Sequence, residues 1–251
     1  RLFIRLARLI RGRNQDLHRF GNGARLKVVG GIHTDPSQCI NQLLEAGKSV
    51  VTSNKDLVAA YGEELLEIAA AHGADFYYEA CVGGGIPVIR MINECMIQER
   101  ITEINAILNG TTNYILTEME DAVTSFEEAL EDAQELGYAE RNPESDVEAM
   151  DPARKLAILS THAYCIDVDW EKIERRGITN ITPEDIEIAK AMDYHIKLVA
   201  RSRMMGPRLF AGVEPIMLHE DHPLFGRGRR ILRLRLHLCR HGGHGEDSYR
   251  N

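Results

Sequence analysis

Between residues 26 and 79 the chain alternates short apolar runs with longer helical patterns, an order that few folds accommodate. Residues 26–30 read as a short buried strand ending in Gly30-Gly31. Residues 36–46 read as a helix stopped by Gly47, and residues 49–52 as a β-branched strand. Residues 56–72 carry a long helical pattern closed by Gly73, and residues 75–79 a third strand. Strand, helix, strand, helix, strand at this spacing predicts a βαβαβ unit with a parallel sheet. Ligands of such sheets sit beyond the carboxyl ends of the strands. Those ends carry Gly30-Gly31, Thr52-Ser-Asn54-Lys55 and Glu79-Ala-Cys-Val82.

After Glu79 the alternation changes to an α+β pattern. Val82-Gly-Gly84-Gly-Ile86-Pro87 is a glycine-rich loop whose proline can open a helix. Residues 100–108 read as a strand, Asn109-Gly110-Thr111-Thr112 as a turn, and residues 113–121 as a helix. Ser125-Phe-Glu-Glu128 is a capping box for a helix ending at Gly137. An apolar helix is predicted over residues 150–165, a short one capped by Thr182-Pro183, and a strand over 195–203.

The richest stretch chemically is Glu140 to Lys155, with Glu140, Asp146, Asp151 and Lys155 running into the apolar helix. Asp151 and Lys155 are four apart and share a helical face. Acids could hold a substrate ammonium group while the lysine handles a proton on an alcohol, which suits a small zwitterionic amino acid. The alternative is structural: Asp151 as N-cap, Pro152 as first helical residue and Lys155 as an exposed first-turn lysine. Lys55, at a sheet's carboxyl edge, suits a cofactor phosphate or a substrate carboxylate; its alternative is a solvated helix-start lysine.

Composition narrows the partners. Of 251 residues 44% are hydrophobic, and the net charge of −8 argues against general nucleic-acid binding. No apolar run is long enough to cross a bilayer. The five cysteines are scattered, odd in number and without a CxxC pair, which fits a reducing cytoplasm. His237, Cys239, His241 and His244 match no standard zinc spacing.

The chain resembles the homoserine dehydrogenase family. The matching stretches are Val28-Val-Gly-Gly-Ile32, Glu45-Ala-Gly-Lys-Ser-Val-Val-Thr-Ser-Asn-Lys55, Glu79 to Pro87, Leu108-Asn-Gly-Thr-Thr-Asn-Tyr114, and Glu140 to Lys155 with Leu156-Ala-Ile-Leu159. Several motifs in the right order make the resemblance specific over about residues 26–224. It implies an α/β fold: a partial Rossmann-like parallel sheet (26–78), then an α+β substrate and dimerisation domain (79–224). It implies interconversion of homoserine and aspartate semialdehyde with NADP or NAD, in a cytoplasmic homodimer. The resemblance makes Lys155 the proton-transfer residue, oriented by Asp151. Glu140 and Asp146 would hold the ammonium group, with Thr111 and Gly110 lining the pocket. Lys55, Asn54, Thr52, Gly30 and Gly31 would meet the cofactor. A monovalent cation, sodium in many members, would sit on the Glu79 carboxylate and the carbonyls of Val82, Gly84 and Ile86.

Residues 1–25 and 225–251 do not match the family. Both stretches are Arg-rich, and Gly21-Asn-Gly23 is the only trace of a phosphate loop. They read as fragment edges or frame-shifted translation rather than as a targeting peptide. A catalytically dead interaction module is the alternative function. The Leu232, Leu234, Leu236, Leu238 alternation suits an edge strand or an artefact.

Overall fold

A computed structural model describes residues 27–28, 36–96, 99–225 and 233–239. The first part is a three-stranded parallel sheet in the order β1 (Lys27–Val28), β2 (Val50–Val51), β3 (Phe76–Tyr77). Helices α1 (Pro36–Glu45) and α2 (Lys55–Ala71) connect these strands. The strands are shorter than expected, but their parallel register is the one the alternation predicts. Ile40, Leu44, Val50 and Leu65 are almost fully buried and form the core of this part. Gly47 has φ 68° and Gly73 φ 67°, so both helix stops use the left-handed region that glycine enters freely.

The second part is a five-stranded sheet in the order β5 (Glu174–Arg175), β7 (Arg208–His219), β6 (Tyr194–Met205), β4 (Arg100–Ile107), β8 (Arg233–Cys239). All neighbours are antiparallel except β5 and β7. Strands β5 and β7 were not anticipated. In β7, Gly212 and Pro215 break the apolar alternation that would have marked it. Leu234 and Leu236 of β8 pack on the main core, while Arg235 is exposed, so this leucine alternation is an edge strand.

Helices pack against this sheet. They are α3 (Val88–Arg90), which runs into a π-turn over Met91–Cys95, α4 (Gly110–Ala122), α5 (Phe126–Glu135), α6 (Glu144–Val147), α7 (Met150–Tyr164) and α8 (Pro183–Ala191). The capping box at Ser125 forms as predicted, and Thr182 caps its helix as expected, through a capping box with Asp185. Helix α4 starts at Gly110, not near 113, because Asn109 caps it by accepting from the Thr112 N–H. Helix α7 is the spine. Leu156 and Leu159 are fully buried, and Ser160 donates to Ser202 Oγ on β6 at 2.8 Å. Among the described residues no helix is long and apolar enough to cross a membrane.

Where α2 and α7 meet, His162 lies half-buried between Tyr78 and Asn93. Asn93 Oδ1 can only accept, so Nδ1 carries the proton at 3.1 Å and Nε2 accepts the Tyr78 hydroxyl at 3.0 Å. Burial lowers the imidazole pKa to about 4. The unfolded chain therefore binds the extra proton first, and folding stability falls as pH drops from about 6.5 to about 4. Urea unfolding should lose about 3 kcal/mol across that window. His162→Gln should flatten the slope; an unchanged slope would assign it to other groups.

Candidate active site

Asp151 organises the site. It does not cap α7: the cap is Ala149, at φ 62°, and Asp151 and Pro152 lie inside the first turn. Asp151 is 3% exposed and accepts from three sides. Lys155 Nζ donates to Oδ2 at 2.7 Å, one turn along the same helix. Asn109 Nδ2 donates to Oδ2 at 2.7 Å. Lys55 Nζ, from the first residue of α2, lies 3.2 Å from Oδ1. One carboxylate thus joins the parallel-sheet part to the α+β part.

Lys155 is not the exposed first-turn lysine of the structural alternative. Its side chain is 17% exposed, and Nζ also donates to the Leu108 carbonyl at 3.0 Å. An ammonium group has three N–H donors. Two are fixed by the protein, on Asp151 and Leu108, and the third has no partner among the described residues. Asp146, on α6, accepts from Asn109 Nδ2 at 2.6 Å. Burial pushes its carboxyl above the ordinary value, and the Asn109 hydrogen bond pulls it partly back. Burial acts to lower the Lys55 pKa, but Asp151, with Asp56 and Asp146, outweighs it and holds the ammonium above its usual value.

The remaining expected site residues are placed less uniformly. Glu140 is exposed; its carbonyl accepts from Gln134, and its carboxylate makes no described bond to Asp146, Asp151 or Lys155. Thr111 donates to the Tyr138 carbonyl at 2.9 Å, and Gly110 is exposed beside it. Asn54 caps α2 by accepting from Asp56 N and Leu57 N, and Thr52 Oγ1 accepts from Asn54 N. Both side chains are therefore engaged with backbone. Gly30 and Gly31 lie outside the described residues. The Glu79 carboxylate accepts the backbone N–H groups of Ile89 at 2.8 Å and Arg90 at 3.0 Å. The Ile86 carbonyl accepts from Val88 N. Val82 is buried, and Gly84 is exposed at φ 59°. Among the described residues no cluster of three His, Cys, Asp or Glu side chains could hold a metal.

Two contributors were not read from the sequence. Asn109 looked like a turn residue, although an N-cap signal precedes α4. Arg154 pairs with Asp56 at 3.1 Å and lies 4.1 Å above the Trp170 ring, a second tie between α7 and α2. The turn into α7 is held from outside as well. Ile178 N donates to the Val147 carbonyl at 2.9 Å. A Cβ on Gly177 would run into that carbonyl oxygen and stand 2.9 Å from Glu148 Cα. Gly177→Ala should therefore cost about 1–3 kcal/mol of stability as the turn shifts. Thermal unfolding unchanged from the parent would show that the turn yields freely.

A parallel sheet whose strand ends face a lysine–carboxylate cluster on an α+β layer is the layout of a two-part α/β dehydrogenase. The homoserine dehydrogenase family model matches residues 87–233, and the model "Homoserine dehydrogenase, NAD binding domain" matches residues 29–79. The chain belongs to the homoserine dehydrogenase family. It is 44% identical over 199 residues to the homoserine dehydrogenase of Bacillus subtilis, covering 79% of this chain and 46% of that protein. A homoserine dehydrogenase structure from Thiobacillus denitrificans superposes with TM-score 0.75 at 38% identity, over 79% of this chain and 46% of that one. A hyperthermophilic archaeal homoserine dehydrogenase in complex with NADPH superposes with TM-score 0.69 at 27% identity, over 84% and 65%. The chain spans about half the length of the curated relatives it matches.

Proposed function

We propose that this chain carries the substrate site of an NAD(P)-dependent homoserine dehydrogenase, interconverting L-homoserine and L-aspartate 4-semialdehyde. The observation that carries this reading is the Lys155 ammonium, with two donors held by Asp151 and Leu108 and a third free beside Asp146. The nicotinamide cofactor supplies or accepts the hydride. NADPH binding by the archaeal relative supports that choice. Thr52, Asn54 and Lys55 stand at the carboxyl end of β2, where such sheets receive nucleotides. Of these, Lys55 carries the charge that can meet a phosphate or carboxylate, since its ammonium, though paired with Asp151, is on a side chain 33% exposed.

In the direction of reduction, Lys155 gives a proton to the substrate oxygen as the carbon receives hydride. In the direction of oxidation the same nitrogen, once deprotonated, takes the hydroxyl proton. Asp151 holds Nζ in place on both passes. Asp146 and Asp151 form the negative wall for the substrate ammonium, with Thr111 and Gly110 at its edge. Glu140 contributes by long-range attraction, since its carboxylate faces solvent. NADPH formation on mixing L-homoserine with NADP tests the reading, and failure to bind homoserine would overturn it. The interaction-module alternative has no observation in its favour.

Two finer points belong to the same proposal. The loop from Glu79 to Ile86 takes a monovalent cation only by sharing a carboxylate that already caps α3. Sodium added to a potassium-free sample should then raise the unfolding temperature, and no change would remove the cation from the reading. The five-stranded sheet presents Phe210, 53% exposed, beside the Arg201–Glu214 pair and Arg203. A second copy of the chain is the occupant that the family resemblance implies. Sedimentation should show a dimer at micromolar concentration, and a monomer alone would count against it.

A further inference from the structure

We propose that Asn109 is a positioning residue of this site, its amide setting the spacing and orientation of the Asp146 and Asp151 carboxylates that receive the substrate ammonium. The inference rests on the reading that these acids bind an amino acid. Asn109 is 4% exposed, and every valence of its amide is filled. Nδ2 donates one hydrogen to Asp146 at 2.6 Å and the other to Asp151 at 2.7 Å. Oδ1 accepts from Thr112 N at 2.8 Å and from the Thr112 hydroxyl at 3.0 Å. A flipped amide would set its oxygen against two carboxylates and its hydrogens against an N–H, so only one orientation is stable.

A single nitrogen therefore fixes two acids that sit 37 and 42 residues further along the chain. Left alone, two adjacent carboxylates repel and one tends to take a proton. The groups facing Asp146 are Asp151 and Lys155 from α7, Lys55 from α2 and Asn109 from the turn before α4. Of these, Asn109 alone touches both acids by donating hydrogen bonds without adding charge. Its removal leaves Asp146 half-buried beside a like charge, so the carboxyl protonates at higher pH and no longer pairs with an ammonium group.

Asn109 also caps α4, and a test must separate the two roles. Serine and aspartate are both good N-caps. Asn109→Ser is too short to reach the acids, and Asn109→Asp offers them only lone pairs. Calorimetric titration of the chain with L-homoserine, with and without NADPH, gives Kd without requiring turnover. It is run from about pH 5 to about pH 9, spanning the range where a raised carboxyl titrates. Both variants should weaken binding about tenfold at neutral pH, as loss of a charge-assisted bond does. Their loss of binding on the acid side should begin at higher pH than in the parent; the unfolding temperature of Asn109→Ser should stay close to it, while Asn109→Asp, with a third carboxylate beside two, should lower it. Parent-like Kd and pH dependence in both variants would make Asn109 a helix cap only. Asp146→Asn separates the two readings. If it weakens binding while the Asn109 variants do not, only the positioning role fails. If it leaves Kd unchanged, or the parent binds no homoserine, the reading of the acids fails as well.

Discussion

Lys155→Ala should lower kcat for homoserine oxidation by about 10²–10⁴-fold, the usual range for loss of a general acid–base group. The measurement is made with residues 36–225 of this sequence carried in a protein of its relatives' length. NADPH affinity should barely change, because Lys155 lies on α7 and not on the parallel sheet. The helix should persist, since alanine is the better helix former. The pH–rate profile should lose the limb that Lys155 supplies. Near-normal turnover would reduce Lys155 to a partner of Asp151. Lys55, on the other oxygen of the same carboxylate, would then be the candidate for proton transfer.

Asp151→Leu should be the most destabilising single change in the site. It removes the acceptor shared by Lys55, Lys155 and Asn109, and leaves a largely buried ammonium with only the Leu108 carbonyl. Breaking a buried pair by deleting one partner costs about 3–5 kcal/mol, because the remaining charge stays desolvated. Urea unfolding should show a lower midpoint with an unchanged slope. Combining Asp151→Leu with Lys155→Met should recover much of that loss, since the orphaned charge goes too. A double variant no more stable than Asp151→Leu alone would place the cost in packing.

Much of this arrangement was legible in the sequence, for local reasons. Gly47 and Gly73 mark helix ends because left-handed backbone favours glycine, and the Ser125 box and the Thr182 cap are short-range hydrogen-bond patterns. The Asp151–Lys155 pair follows from helical spacing. What was not legible depends on contacts far apart in the chain. Lys55 meets Asp151 only because α2 packs on α7, and no local pattern encodes that. Asn109 advertised a turn, not the two acids it bridges. Glu140 was expected among the acids, but the direction of a loop carboxylate is set by tertiary packing, and it faces solvent. Strand β7 was hidden by Pro215 and Gly212, and pairing with β6 along its whole length overrides those breakers.

The three-way loading of Asp151 has a mechanical consequence. Lys55 travels with the parallel sheet, while Asp151, Lys155 and Asn109 travel with the other. A small slip of α2 along α7 would lengthen the Lys55 contact before it uncovered much apolar surface. The carboxylate would then bear an unbalanced pull towards Lys155 and Asn109. Asp151 thus stands where a displacement of the two sheets would first be felt, in the length of its contact with Lys55.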